Sequence, residues 1–122
     1  MITLLTLLSV SLICEGSGNR RALYNGEEYR DTVRVELQDN GGRIQLPRAM
    51  LPPEMKGGSS GWYDLRDFVA TREKYQARVR VNIINYPHIE LNRIAGTIKI
   101  DGGQSMFSGK CEPISQDAAP KF

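Results

Sequence analysis

Residues 77–112 read ARVRVNIINYPHIELNRIAGTIKIDGGQSMFSGKCE, and the fold turns on this stretch. Ala77, Val79, Val81 and Ile83 alternate with Arg78, Arg80 and Asn82. Asn85-Tyr86-Pro87 breaks the run. Ile89 and Leu91 then alternate with His88, Glu90 and Asn92, Ala95-Gly96 marks a turn, and Ile98 and Ile100 flank Lys99. Asp101-Gly102-Gly103 turns the chain again before a last strand over 105–112, which carries Phe107 and Cys111. Side chains of a strand point to alternate faces, so a period of two with one apolar parity predicts strands buried on one side. Strands of this kind joined by short connections predict an antiparallel meander with one wet face.

The same period appears upstream. Val33, Val35 and Leu37 alternate with Arg34, Glu36 and Gln38, and after Asp39-Asn40-Gly41-Gly42 the apolar parity resumes at Ile44 and Leu46. Asn and Gly accept the positive φ of tight hairpin turns, so this segment predicts a hairpin. Residues 47–61 read as a long loop: Pro47, Pro52 and Pro53 cannot donate to a ladder, and Gly57, Gly58 and Gly61 resist ordering. A strand near 63–70 and a turn through Thr71-Arg72-Glu73-Lys74 follow. With the segment around Cys14, the count is about seven or eight strands. A sheet of that size with one apolar face closes wholly or partly into a barrel, or folds into a small β-sandwich. The chain is therefore expected to be all-β, with one domain over 12–113 and a flexible tail over 114–122.

The chain opens MITLLTLLSVSLI, with no charge before Glu15. The apolar run has the length of a signal-peptide core, although its first residues carry no Lys or Arg. Two cuts fit the small-x-small rule. One follows Ser9-Val10-Ser11 and makes 1–11 the signal peptide, leaving Cys14 in the mature chain. The other follows Gly16-Ser17-Gly18 and discards Cys14. The contrasting reading takes Leu4 to Ile13 as a buried first strand. If both cysteines remain, a periplasmic or secreted location favours a Cys14–Cys111 disulfide, which would staple the seam where the sheet meets itself.

Composition narrows the function classes. The 16 basic and 14 acidic residues give a net charge of +2, with no basic stripe of the kind nucleic acid requires. No window approaches the ~20 apolar residues of a membrane-spanning helix. Two distant cysteines and a single histidine cannot form a closed four-ligand zinc site, and there is no Cys-x-x-Cys. Gly41-Gly42, Gly57-Gly58 and Gly102-Gly103 are not followed by Lys-Ser/Thr, so no phosphate loop is indicated.

The remaining candidates are few. His88, with Glu90 on the same face, could pass for a general base and its orienter, but no nucleophile is tied to them. Glu27 and Glu28 are adjacent and would point apart in a strand, and Asp64 and Asp67 follow no hydrolase spacing. Arg34, Arg43, Arg78, Arg80, Arg93 and Lys99 share the outer parity, interleaved with Glu36 and Glu90. Cross-strand ion pairs are the plainer reading, and a weak attraction to anionic lipid or polysaccharide is the alternative. Met50, Leu51 and Met55 lead into Trp62 and Tyr63 and form a candidate surface for a small apolar ligand or a partner, with 47–61 as a lid. The contrasting reading has them cap a small core.

The ends carry short motifs: Cys14-Glu15-Gly16 after the leader, Asn92-Arg93-Ile94-Ala95-Gly96 in a late turn, and Ser108-Gly109-Lys110-Cys111 near the end. In these the chain resembles a group of uncharacterised small exported proteins of Gram-negative bacteria. There a Cys-x-Gly opens the mature chain and a Ser-Gly-x-Cys closes the domain. The resemblance covers the ends and the last three strands. It implies export, a β-rich domain and a Cys14–Cys111 bridge, and it implies no activity. The expected function is that of a monomeric, non-enzymatic envelope module, binding or structural. Its partner would be an envelope component or a small apolar ligand, with no cofactor and no metal. A carrier of a small apolar ligand is the first alternative and a hydrolase using His88 the second.

Overall fold

A computed structural model describes residues 9–20, 28–38, 41–50, 61–81, 86–102 and 105–114. Residues 1–8 of the leader, the Asp39-Asn40 turn, Leu51, Met55, Ile83 and the tail over 115–122 lie outside the described residues. The strands are β1 (Val10–Arg20), β2 (Glu28–Gln38), β3 (Gly41–Gln45), β4 (Trp62–Asp64), β5 (Arg66–Ala70), β6 (Lys74–Arg78), β7 (His88–Asn92), β8 (Thr97–Asp101) and β9 (Ser105–Pro113). They form one nine-stranded antiparallel sheet in the order β4-β3-β2-β1-β9-β8-β7-β6-β5.

That order makes a nearly closed barrel with an unusual seam. The two edge strands, β4 and β5, are separated in sequence by Leu65 alone. They are two halves of one bent strand. The first half pairs with β3 through Ile44↔Tyr63, and the second pairs with β6 through Ala70↔Tyr75. Leu65 N–H still donates to Gly42 O (2.9 Å) on the β3 side. The sequence pattern predicted a single strand over 63–70 because the chain is continuous there. The change of partner at Leu65 leaves no mark on hydrophobic parity. A bulge helps the second half turn: between Arg66↔Arg78 and Val69↔Gln76 the register slips, and Asp67 takes φ 53°.

The chain's first and last strands meet at the middle of the sheet. β1 and β9 pair from Leu12↔Pro113 to Arg20↔Ser105. The inward parity supplies the core: Cys14 on β1, Val33, Val35 and Leu37 on β2, Ile44 on β3, Ile89 and Leu91 on β7, Ile98 and Ile100 on β8, and Phe107 on β9. Near the middle of the β1–β9 pair the inward positions are Gly16, Gly18 and Gly109, and the backbones approach too closely for any side chain. The Tyr29 ring fills the space beside Gly18. Its hydroxyl donates to Met106 O (3.2 Å) and lies 3.1 Å from Ser105 Oγ, while the ring stacks on Phe107 at 6.3 Å.

One end of the barrel is plugged. After β3 the chain turns through buried Pro47 into a 3-10 turn, Arg48–Met50, and Met50 tucks in beside Pro87 and Gly102. Asp31 fixes this plug by accepting from Arg48 N–H (2.9 Å) as well as from Thr32 N–H (2.7 Å). At the other end lie the β5–β6 turn and the β7–β8 turn. In the first, Thr71 N–H donates to Lys74 O (2.8 Å). In the second, Asn92 Oδ1 accepts from Ile94 and Ala95 N–H (3.0 and 2.8 Å), and Gly96 takes φ 72°.

Candidate functional site

Cys14 and Cys111 are bonded across β1 and β9 at a Cα separation of 4.0 Å. Cys111 N–H donates to Gly96 O (2.8 Å) on the β8 side. The two cysteines are therefore a non-hydrogen-bonded pair, the kind whose Cα atoms lie closest in an antiparallel ladder. Cys14 is buried and Cys111 half-buried.

Cys111 forms part of an apolar cavity of about 250 Å³ at the end away from the plug. Val10, Leu12, Leu37, Tyr75 and Leu91 line it, and Arg93 and Thr97 stand at its rim. Arg93 lies over the Tyr75 ring at 4.5 Å and donates to Thr71 O. Tyr75 in turn stacks on Phe68 at 5.4 Å.

A second concavity, about 270 Å³ and polar, lies on the outside at the barrel closure. Arg43, Trp62, Tyr63, Asp64, Arg66 and Arg80 line it. Arg43 is held by the Glu36 carboxylate (2.7 Å) and sits 4.5 Å from the Trp62 ring centroid. The Tyr63 hydroxyl is buried and has no hydrogen-bond partner among the described residues.

The residues singled out from sequence are thus dispersed. Met50 belongs to the plug, Tyr63 points inward opposite Ile44, and Trp62 points outward opposite Gln45. The described ends of 47–61 both sit at the plugged end, where Leu46 N–H donates to Gly61 O (3.0 Å). His88 begins β7, half-buried between Arg78 and Asp101 on the neighbouring strands, with Glu90 two residues on. Among the described residues, no group of three His, Cys, Asp or Glu side chains could hold a metal ion, and no helix is long and apolar enough to cross a membrane. The apolar mouth went unread in the sequence because its lining comes from six strands and a turn. The closure notch went unread because it depends on which strands become neighbours.

Comparison with protein-family models, with curated proteins and with solved structures finds nothing that matches the chain.

Proposed function

We propose that the protein is an exported, non-enzymatic β-barrel module of the bacterial envelope, periplasmic or secreted, and monomeric. The observation that carries this reading is the Cys14–Cys111 disulfide between the first and last strands. Disulfides persist in oxidising compartments and are rare in the cytosol. A cut after Gly18 would remove Cys14 and most of β1, the strand that β2 and β9 both pair with. Processing after Ser11 keeps the bridge. The resemblance to small exported proteins of Gram-negative bacteria supports the same compartment.

The test is a non-reducing mass spectrum of the protein taken from its own export route. A mass starting at Leu12 and two hydrogens short is the expected result. A mass starting at Asn19, free thiols, or retention in the cytosol would overturn the proposal.

A second reading, a carrier of a small apolar ligand, is favoured by the mouth lined by Leu12, Tyr75 and Leu91. Its opening would lie at that mouth, and residues 51–60 of the expected lid lie outside the described residues.

A further inference from the structure

The outer face at the barrel closure carries charge that the barrel does not use. Arg66 opens β5 directly opposite Arg78 on β6, and Arg80 follows two residues on, between buried Val79 and Val81. Like charges placed directly opposite one another destabilise a sheet. All three arginines are exposed, and none makes an ion pair among the described residues. Arg43 joins them from β3, paired with Glu36 and lying over the Trp62 ring. Arg43, Arg66 and Arg80 converge on the notch of about 270 Å³, with Trp62 as one wall and Asp64 the sole carboxylate of its lining among the described residues.

Each guanidinium is a planar fork matched to the oxygens of a phosphate-type anion, and several together suit a dianion better than a monoanion. A neutral ligand would leave the arginine repulsion in place. A carboxylate facing the same space accepts hydrogen bonds from hydroxyl groups, and an indole offers an apolar wall. A concave space of this size suits a small molecule better than a flat bilayer surface. We propose that the notch binds the phosphate or sulfate ester of a small saccharide. Arg66 and Arg80 take the ester oxyanion, Asp64 accepts from ring hydroxyls, and Trp62 walls the sugar.

Trp62 is the chain's single tryptophan, so its emission reports on this notch. Glucose 6-phosphate should change that emission saturably, while glucose and sodium chloride at matched ionic strength should not. Arg66→Gln and Arg80→Gln should each weaken the response about tenfold, and Arg30→Gln, at an exposed position of β2 away from the notch, should leave it unchanged. Arg66→Gln should melt no lower than the parent without ligand, because it removes a like-charge pair. The ligand should raise the parent's melting temperature and barely move the variant's. Four results would each overturn the proposal: no saturable response, an equal response to salt or glucose, full affinity in Arg66→Gln, or emission that responds only to phosphatidylglycerol vesicles.

Discussion

Gly16 on β1 and Gly109 on β9 stand opposite each other, and each occupies the space where the other's side chain would begin. A Cβ on Gly16 would lie 2.5 Å from Gly109 Cα, and one on Gly109 would lie 2.8 Å from Gly16 Cα. The obstruction is backbone on both sides, so no rotamer relieves it. Glycine here marks close approach of two strands at a tight bend. Gly16→Ala and Gly109→Ala should each cost about 1–3 kcal/mol, the usual range for overpacking. Urea unfolding of the two single variants and the pair checks this. The pair should cost less than the sum, because one displacement of the strands accommodates both methyls. Parent-like midpoints would mean that the strands separate without penalty.

The disulfide lies in the same β1–β9 pair, at the middle of the sheet and not at the β4–β5 seam where the sheet meets itself. It links residues 97 apart, so it closes nearly the whole domain into a loop. On loop-closure entropy such a bridge is worth about 4–5 kcal/mol, a large part of a small domain's net stability. Cys14→Ala with Cys111→Ala should lower the unfolding free energy by that amount, and reduction with dithiothreitol should do the same to the parent. A loss under about 1 kcal/mol would show that the ladder between β1 and β9 holds the ends without a cross-link.

The strands were legible where parity is clean. Val33-Val35-Leu37 and Ile98-Ile100 face the core as the alternation requires, and the turns at Thr71–Lys74 and Ala95-Gly96 fall where their residues predict. The barrel alternative, and not the sandwich, is the fold. Two features were hidden for physical reasons. Partner choice is long-range, so nothing local in Trp62–Ala70 shows that its halves pair with opposite edges. The notch inherits that hidden information: Arg66 acquires meaning only once Arg78 is its neighbour, and Trp62 only once Arg43 lies over it. Gly16 and Gly109 were legible as motif letters, but their close approach requires the β1–β9 register.

Asp67 is the one described non-glycine residue with positive φ, at the bulge where β5 turns toward β6. Asp tolerates the left-handed region through its short polar side chain, whereas a β-branched residue does not. Asp67→Gly should be neutral or stabilising by up to about 1 kcal/mol. Asp67→Val should cost about 1–2 kcal/mol and loosen the pairing of Val69 with Gln76. Thermal melts rank the three proteins, and amide exchange at Val69 locates the effect. Equal stability of the valine and glycine variants would place the closure's bend elsewhere.

The apolar mouth supplies the last prediction, because it separates a carrier from a closed structural module. Val10 is 42% exposed at the cavity edge, while Leu91 is buried in its wall. A small cavity with so little polar lining takes a short neutral chain, and octanol is a suitable probe. Octanol should shift the methyl resonances of Leu12, Leu37 and Leu91 and leave Val33, in the centre of the core, unmoved. Val10→Trp should block the mouth and abolish those shifts without lowering stability, since the new ring covers apolar surface already exposed. Leu91→Ala should enlarge the site while costing about 2–5 kcal/mol. Shifts that persist in Val10→Trp would place octanol outside the mouth. Absence of any shift in the parent would leave the barrel as a structural module whose binding surface is on its outside.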